Sequence, residues 1–460
     1  MASPVSPCTP KIQNGTEWIS LLQKKVAFFL FLLLLLSTIF LFSTWYSSHN
    51  FTFGGKEALR DSALLTDHLE LNSTAQIIAR DEAVSPSNYS FRGNFSAEAS
   101  FEISDRRSPF AIESCDLSKG KWLRDSREPL YSNLTCSFLP ETRNCQMYGK
   151  LPNYLYWRWK PDECDLPRFE SKRFLDLVRG KKMAFVGDSL ARNQFNSLLC
   201  LLSQAEIPLD VYHDPFNQFR TMHFPSSNFT LMVMWTEFYV QGIPIIINGT
   251  ATASFDIYLD KINTKWTSQL PGLDYLIISG GNWFSRVNYL HENGSRIGCV
   301  NCREENLKDY GIAYAIRRVV RKALESIISC QNCDGLVTFM RTYTASHFEN
   351  GSWFNGGDCN RTEPLNEKEI NLNGIEWEVR KIQNEEIERI KVMDKDAKKH
   401  FGVLDVTKAM MMRADGHPGA FYNKKWFNNV NDCLHWCLPG PVDMWNEMLM
   451  LNLISSSSFD

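Results

Sequence analysis

A run of twenty uncharged, mostly apolar residues near the N-terminus constrains this chain more than any other feature. It extends from Val26 to Trp45, and a helix of that length spans about 30 Å, the thickness of a hydrocarbon core. The run ends in aromatic residues suited to a membrane interface, whereas a cleaved signal peptide has a shorter apolar core and small residues at its cleavage site. We therefore expect an uncleaved transmembrane anchor over residues 26–46.

The charges that flank this anchor indicate its orientation. Lys24 and Lys25 directly precede the apolar run, and no Lys or Arg follows it until Lys56. Positively charged flanks stay on the cytosolic side of a membrane. We therefore expect residues 1–25 in the cytosol and the rest of the chain in the lumen, as a single-pass type II membrane protein.

Sequons and cysteines are both consistent with a luminal location. Twelve of the 13 cysteines follow the anchor, and only Cys8 precedes it. In an oxidising lumen this even number predicts up to six disulfides, whose pairing cannot be deduced from the sequence. Ten N-x-S/T sequons also follow the anchor, so we expect a glycoprotein; they begin at Asn50, Asn72, Asn88, Asn94, Asn133, Asn228, Asn248, Asn293, Asn350 and Asn360.

Composition excludes two broad classes of protein. Hydrophobic residues make up 44% of the 460 residues, which is too many for a disordered chain and enough for a sizeable core. The 49 Lys and Arg residues are balanced by 52 Asp and Glu residues, giving a net charge of −3. Because no basic excess is present, we expect no nucleic-acid partner.

The luminal part divides into three segments by composition. Residues 47–110 are rich in Ser, Asn and Ala and lack cysteine, which predicts a flexible stem. Residues 111–170 hold four cysteines and three tryptophans, which predicts a small disulfide-stapled module. Residues 171–460 alternate short apolar runs with longer amphipathic segments, which predicts an α/β three-layer sandwich with a parallel sheet, in which strand and helix alternate throughout. The expected strands are Met183–Val186, Leu231–Trp235, Ile243–Ile247, Tyr275–Ser279, Leu336–Met340 and Val403–Val406, and the expected helices are Leu190–Leu202, Ile312–Ile328, Gly374–Asp396 and Val442–Leu453.

Ser189 is placed where a nucleophile is expected. It follows a buried strand that ends at Gly187 and begins the next helix. Free backbone N–H groups and the positive end of the helix dipole favour a developing oxyanion at such a position. The alternative is that Asp188 or Ser189 serves only as a helix N-cap.

A second cluster near the C-terminus contains a candidate base. Asp432 and His435 are three residues apart, and on a helical turn they would lie on one side, so that the carboxylate holds the imidazole in one tautomer. Alternatively, His435 is a structural histidine and Asp432 a cap. A serine nucleophile requires an oriented base, and the combination with Ser189 therefore favours a catalytic serine.

Gly187-Asp188-Ser189 with Asp432-x-x-His435 resembles the SGNH or GDSL group of esterases and acyltransferases. The sequence is more closely similar to the plant trichome birefringence-like family of wall polysaccharide O-acetyltransferases, over roughly residues 111–455. The residues that carry this resemblance are Cys115-Asp116-Leu117, Gly120-Lys121-Trp122, Asn144-Cys145, Tyr156-Trp157-Arg158-Trp159-Lys160-Pro161, Cys164-Asp165-Leu166-Pro167-Arg168-Phe169, Arg341-Thr342, Gly356-Gly357-x-Cys359, Arg413-x-Asp415-x-His417-Pro418, Asp432 to Gly440 and Trp445-Asn446.

The resemblance implies an SGNH/GDSL-like Golgi membrane enzyme with a triad of Ser189, His435 and Asp432. It also implies ping-pong transfer, in which Ser189 takes an acetyl group from a donor and passes it to a sugar hydroxyl. The implied partners are a polysaccharide acceptor and an acetyl donor, such as acetyl-CoA, or a membrane protein that delivers the donor. No tightly bound cofactor is expected.

Several further residues are candidates for the oxyanion hole or the pocket. The backbone N–H of Ser189 is the first oxyanion candidate, and Gly281 or Asn282, after the strand Tyr275–Ser279, is the second. Asn282 stands where many relatives carry His or Gln. The other candidates, from the nucleophile motif, are Gly187, Asp188, Arg192 and Asn193.

Three other groups have more than one interpretation. Cys299-x-x-Cys302 and Cys330-x-x-Cys333 have zinc-ligand spacing, but a luminal location favours disulfides within or between the pairs, so we expect no metal. Cys433 and Cys437 flank His435, which would also suit a metal site, but they are interpreted as scaffold because a disulfide from one of them would hold the loop that carries the base. His417 either contacts substrate or is a buried histidine packed under a loop.

The sequence therefore predicts an O-acetyltransferase that acts on a hemicellulose through an acetyl-Ser189 intermediate. The segment from Ile278 to Phe284 is more similar to the xyloglucan and mannan branch of the family than to the xylan branch, which favours xyloglucan; mannan and xylan remain open. One alternative is a polysaccharide acetyl esterase, since water can accept the acyl group from the same serine. Another is a catalytically silent, membrane-tethered glycan-binding protein.

Overall fold

The computed structural model describes residues 115–394, 398–422 and 430–456. The predicted cytosolic tail, anchor and stem lie outside these residues. Among the helices of the described ranges, none is both long and apolar enough to cross a membrane.

Thirteen strands and seven α-helices are assigned in the described residues. The strands are β1 (Gly120–Arg124), β2 (Trp157–Pro161), β3 (Lys182–Gly187), β4 (Leu209–His213), β5 (Phe219–Phe224), β6 (Phe229–Trp235), β7 (Val240–Ile247), β8 (Thr250–Ile262), β9 (Tyr275–Ser279), β10 (Asn288–Glu292), β11 (Ser295–Val300), β12 (Val337–Arg341) and β13 (His400–Leu404). The helices are α1 (Ser171–Leu177), α2 (Ser189–Leu202), α3 (Thr264–Thr267), α4 (Gly311–Ile328), α5 (Ile375–Met393), α6 (Thr407–Met411) and α7 (Asp443–Ser456). Every strand and helix expected from the sequence is present, with ends shifted by at most three residues.

A seven-stranded sheet in the order β13-β12-β9-β3-β6-β5-β4 forms the centre of the fold. The five strands from β13 to β6 are parallel, whereas β5 and β4 are antiparallel to their neighbours. The expectation of a parallel sheet is therefore correct only for those five strands. The loops between β4 and β6 are too short for the crossover that parallel pairing requires, and they form hairpins instead.

Helices cover both faces of this sheet because successive side chains of its central strand point to opposite sides. Met183 and Phe185 of β3 pack in one core with α2 and α7. Ala184 and Val186 pack in a second core with α4 and α5. The described fold is thus α/β, with a mixed sheet between two helical layers.

A second, four-stranded sheet in the order β11-β10-β8-β7 corrects the expectation that strand and helix alternate throughout. Its hairpins turn at Asn248-Gly249 and Asn293-Gly294, and all four of these residues have φ between 50° and 78°. Asn-Gly in this conformation is the strongest short-range hairpin signal. Both pairs also belong to sequons, and of the four strands in this sheet only β7 corresponds to an expected strand, Ile243–Ile247.

The N-terminal module contains a two-stranded antiparallel sheet of β1 and β2. Trp122 and Trp159, on facing strands, meet edge to face with ring centroids 5.6 Å apart. Trp122 also donates its indole N–H to the carbonyl of Ala409, at 2.8 Å. The module is therefore packed against the larger domain rather than suspended from it.

All twelve cysteines after the predicted anchor form disulfides. Both Cys-x-x-Cys pairs close within themselves, so neither provides zinc ligands, and no cluster of potential metal ligands occurs in the described ranges. The bonds are Cys115–Cys164, Cys136–Cys200, Cys145–Cys437, Cys299–Cys302, Cys330–Cys333 and Cys359–Cys433.

The six sequon asparagines that fall in the described ranges are all exposed. Each can therefore be reached by a glycan without disturbing the core; glycosylation itself stays a prediction. These residues are Asn133, Asn228, Asn248, Asn293, Asn350 and Asn360.

Removing a disulfide should destabilise the protein according to the length of the loop that it closes. Cys136 and Cys200 are separated by 64 residues and Cys330 and Cys333 by 3, so chain entropy predicts losses of about 4 and about 2 kcal/mol for the respective Cys→Ser pairs. Denaturant unfolding of the two double variants measures the difference. Equal losses would contradict this account.

Candidate active site

Ser189, the candidate nucleophile, follows a close approach between two strands of the central sheet. Gly187 ends β3, and a Cβ atom at this position would lie 1.7 Å from the carbonyl oxygen of Ser279 on β9. Only glycine fits there. The chain then turns through Asp188, and Ser189 begins α2. As the first helical residue, Ser189 has a backbone N–H outside the i→i−4 hydrogen-bond ladder, as an oxyanion donor requires.

The structure brings Ser189, His435 and Asp432 into one hydrogen-bonded line. Nε2 of His435 lies 2.7 Å from the Ser189 Oγ. Nδ1 of His435 lies 2.9 Å from Oδ2 of Asp432. With the Nδ1 proton donated to the carboxylate, Nε2 is free to accept the serine proton, which is the arrangement of a serine nucleophile with an oriented base.

Asp432 and His435 lie in a loop rather than on the helical turn that their spacing suggested. The Asp432 carboxylate accepts the backbone N–H of Leu434 at 3.3 Å and of His435 at 3.0 Å. These bonds fold the loop back on itself and compete with helix formation. The two side chains nevertheless meet.

Asn193, on α2, holds this loop. It is 1% exposed, and its Oδ1 accepts the Trp436 backbone N–H at 2.9 Å. Its Nδ2 donates to the Trp436 carbonyl at 3.3 Å. The side chain therefore connects the nucleophile helix to the residue that follows the base.

Arg143 is a residue that we missed. It belongs to the N-terminal module, and its guanidinium donates to Oδ2 of Asp432 at 2.9 Å, with both side chains at most 10% exposed. Its carbonyl also accepts the Leu438 N–H at 2.9 Å. The only sequence signal for Arg143 was its position beside the Asn144-Cys145 motif. In the structure, Cys145 forms a disulfide with Cys437, close to His435.

Burial and charge keep His435 neutral and Asp432 ionised. Burial lowers the pKa of His435, and the positive charge of Arg143 lowers it further, against the opposing effect of Asp432. Burial alone would raise the pKa of Asp432, but His435, Arg143 and their hydrogen bonds together hold it well below its usual range. A neutral imidazole beside a carboxylate is the state that can accept the serine proton.

The oxyanion candidates occupy the carboxyl edge of the sheet. Asp188 is fully buried and accepts the Leu190 N–H at 2.9 Å through Oδ1, whereas its Oδ2 has no hydrogen-bond partner among the described residues. Asp188 is therefore the helix cap of the alternative interpretation. The Asn282 side-chain amide makes no hydrogen bond within the described residues, and it is free to act as an oxyanion donor.

The remaining candidates are Arg192, which lies near the Ser189 turn, and His417. Arg192 is partly buried, with its guanidinium 4.7 Å from the centroid of the Trp235 ring. Trp235 lies beside Gly187 in the sheet register, so this pair borders the nucleophile. His417 is fully buried, which favours the structural interpretation over contact with substrate.

Replacing Arg143 by Met should shift the loss of activity in acid to higher pH. Removing the guanidinium eliminates a positive charge that opposes the imidazolium, so the pKa of His435 should rise. Because His435 must be neutral to act as a base, kcat/KM should then fall at a higher pH. The measurement is hydrolysis of an activated aryl acetate against pH, with Arg143→Lys as the charge-preserving control. An unshifted acid limb in the Met variant would exclude this role.

Two family models cover this part of the chain. The GDSL/SGNH-like acyl-esterase family found in Pmr5 and Cas1p matches residues 166–452. The PMR5 N-terminal domain matches residues 113–165, which include Arg143.

Curated relatives match over most of their length. Xyloglucan O-acetyltransferase 4 of Populus trichocarpa is 50% identical over 339 residues, covering 74% of this chain and 80% of the relative. Xyloglucan O-acetyltransferase 2 of Arabidopsis thaliana is 45% identical, covering 73% and 82%. Protein trichome birefringence-like 24 of Arabidopsis thaliana is 39% identical, covering 75% and 82%. The chain therefore belongs to the GDSL/SGNH-like acyl-esterase family found in Pmr5 and Cas1p, and the resemblance to trichome birefringence-like proteins is confirmed.

Proposed function

We propose that this protein transfers acetyl groups to hydroxyls of xyloglucan through an acetyl-Ser189 intermediate. The observation that carries the proposal is the line from Ser189 through His435 to Asp432, with distances of 2.7 and 2.9 Å. Relatives that are named xyloglucan O-acetyltransferases and share 45–50% identity support the choice of acceptor.

In the first half of the reaction, Ser189 attacks the carbonyl carbon of the acetyl donor. The serine proton passes to Nε2 of His435, and Asp432 stabilises the imidazolium that forms. The Ser189 N–H and the Asn282 amide are the donors suited to the oxyanion. When the tetrahedral intermediate collapses, His435 returns the proton to the leaving group, and the acetyl group stays on Oγ.

In the second half, a sugar hydroxyl takes the place of the donor. His435 accepts the hydroxyl proton as the sugar oxygen attacks the acetyl carbon. Collapse releases the acetylated sugar, and the same proton returns to Oγ of Ser189. Water would give hydrolysis by the same route, so the outcome depends on how well an acceptor is held.

A row of arginine and aromatic side chains extends from the nucleophile and suits a sugar acceptor. Beyond the Arg192–Trp235 pair, Trp235 and Trp283 meet edge to face at 6.1 Å. Arg286 lies 4.0 Å from the Trp283 ring centroid and 5.5 Å from that of Trp353. Aromatic faces with nearby polar tips are suited to stacking on sugars.

The far end of this row opens on a cavity of about 720 Å³. Trp353 and Phe354, which are 40% and 72% exposed, contribute its apolar wall. Ser254, Arg286 and Asn301 contribute polar groups. The volume falls within the range of ligand pockets, and this combination supports an acceptor of several sugar units.

We place the enzyme in the Golgi membrane, with residues 26–46 as the anchor and the catalytic domain in the lumen. The basis is the apolar run, the flanking lysines and the ten sequons. Six disulfides agree with an oxidising compartment.

The decisive experiment incubates the full chain with acetyl-CoA and, separately, xyloglucan, glucomannan and xylan oligosaccharides, with mass spectrometry as the readout. We expect one acetyl mass on xyloglucan, lost in Ser189→Ala and kept in Ser329→Ala, an exposed serine after α4. If acetyl groups are instead lost from acetylated oligosaccharides in a serine-dependent way, with no gain on any acceptor, the protein is an esterase and not a transferase. No serine-dependent change would favour the glycan-binding alternative.

Replacing Trp353 by Ala should raise the KM for the oligosaccharide acceptor roughly tenfold. The expected cause is the loss of one aromatic face for stacking on a sugar, at about 1.4 kcal/mol. The rate of aryl acetate hydrolysis should stay unchanged, since that small ester does not reach the cavity. Trp353→Phe keeps an aromatic face and should recover most of the affinity. An unchanged acceptor KM in the Ala variant would remove Trp353 from the acceptor site.

A further inference from the structure

Two histidines outside the triad contact each other directly behind the base. Nδ1 of His347 lies 2.7 Å from Nε2 of His417. The other nitrogen of His347, Nε2, lies 2.9 Å from the carbonyl oxygen of Met411. The other nitrogen of His417, Nδ1, lies 2.7 Å from the carbonyl oxygen of His435. All four ring nitrogens are therefore in hydrogen-bond contact.

Counting protons shows what this arrangement requires. A carbonyl oxygen only accepts, so Nε2 of His347 and Nδ1 of His417 must each carry a proton. Two neutral rings have no further proton, and the lone pairs of the remaining nitrogens would face each other at 2.7 Å. A third proton converts this repulsion into an N–H···N hydrogen bond. The pair as a whole then carries one positive charge.

The pair holds the backbone around the base from three sides. His417 donates to the carbonyl of His435 itself, and its ring stacks on Trp436 with centroids 3.9 Å apart. The backbone N–H of His347 donates to the carbonyl of Cys433 at 2.9 Å. These contacts hold the residues on both sides of His435 and the base itself.

We propose that His347 and His417 form a binding site for one shared proton, and that this proton holds the His435 loop in its catalytic position. Neither histidine touches the reacting atoms, so both are positioning residues. The role in catalysis rests on the proposed function, whereas the shared proton does not.

Burial opposes protonation of the pair, and the charges around it act in both directions. Burial lowers the pKa of both rings, and the charge of a protonated His347 lowers the pKa of His417 further. Asp415 and Glu349 favour the charged form of His347 while Arg361 opposes it. Asp432 favours charge on His417 while Lys150 opposes it. Asp415 is itself paired with the buried Arg413, at 2.8 Å.

The sign of the pH dependence follows from these causes. Since burial moves the pKa of both rings below 6.5, the shared proton is bound in acid and released as the pH rises. Release restores the lone-pair repulsion and loosens the loop. His435 stays neutral in mild acid because its own pKa is also lowered. The proposal therefore requires that the pair release its proton at a higher pH than His435 does, and kcat should then pass through a maximum between the two titrations.

Position 347 offers a pair of variants that separate the proton from the side chain. His347→Gln supplies an amide N–H donor to His417 that does not titrate. His347→Leu supplies none and leaves Nε2 of His417 unpaired. His400→Gln, at an exposed histidine at the start of β13, is the control.

The kinetic test measures serine-dependent aryl acetate hydrolysis against pH. We expect the wild type and His400→Gln to lose kcat as the pH rises through the titration of the pair. His347→Gln should retain activity without that loss, and His347→Leu should have kcat lowered about tenfold at all pH values with KM unchanged. A His347→Gln profile identical to that of the wild type would overturn the positioning role.

A spectroscopic test does not depend on activity. In the full chain labelled with ¹⁵N-histidine, the ¹⁵N shifts of the two rings count their protons. Three protons on four nitrogens in acid, changing to two in a single step, is the expected result. Two neutral rings at every pH at which the protein is folded would overturn the shared proton. If hydrolysis and transfer are both absent while three protons are found, only the proposed function fails.

Discussion

The position of His435 depends on disulfides and hydrogen bonds that hold one irregular loop to distant parts of the chain. Disulfides fix the loop on both sides of the base, at Cys433 and Cys437. The Asn193 side chain holds the next residue, Trp436, from the nucleophile helix. A loop lacks the repeated hydrogen bonds of a helix or strand. The disulfides and the Asn193 hydrogen bonds therefore hold His435 in place, within hydrogen-bond distance of Ser189.

The same ties make the N-terminal module part of the active site. Arg143 stabilises the ionised Asp432 and lowers the pKa of His435, and the neighbouring Cys145 bonds covalently to Cys437. The segment from Arg143 to Cys145 thus holds the loop covalently and also shifts the pKa values of Asp432 and His435. The His347–His417 pair holds the loop from the opposite side through the carbonyl of His435. Under the proposed function, catalysis would therefore depend on groups that never contact substrate.

Sequence reasoning succeeded where the signal is local. Buried strands such as Tyr275–Ser279 are short apolar runs, and the turn at Ser189 follows from a strand, a glycine and a helix start. It failed for the second sheet because Asn248-Gly249 and Asn293-Gly294 are at once sequons and hairpin turns. It failed for Arg143 because one arginine in an irregular segment has no periodicity to distinguish it. Asn193 was selected from the sequence as a candidate, but its hydrogen bonds to Trp436 were not predicted, because they depend on which segment packs against that face of the helix.

The sequence by itself determined the nucleophile turn, the spacing of Asp432 and His435, the even number of cysteines and the strands of the central sheet. Only the tertiary structure decided which cysteines pair, that Arg143 joins Asp432, and that two histidines meet behind the base. Local elements follow from backbone sterics and hydrophobic period over a few residues. The contact between Ser189 and His435 spans 246 residues, and such contacts arise only when separate elements pack together.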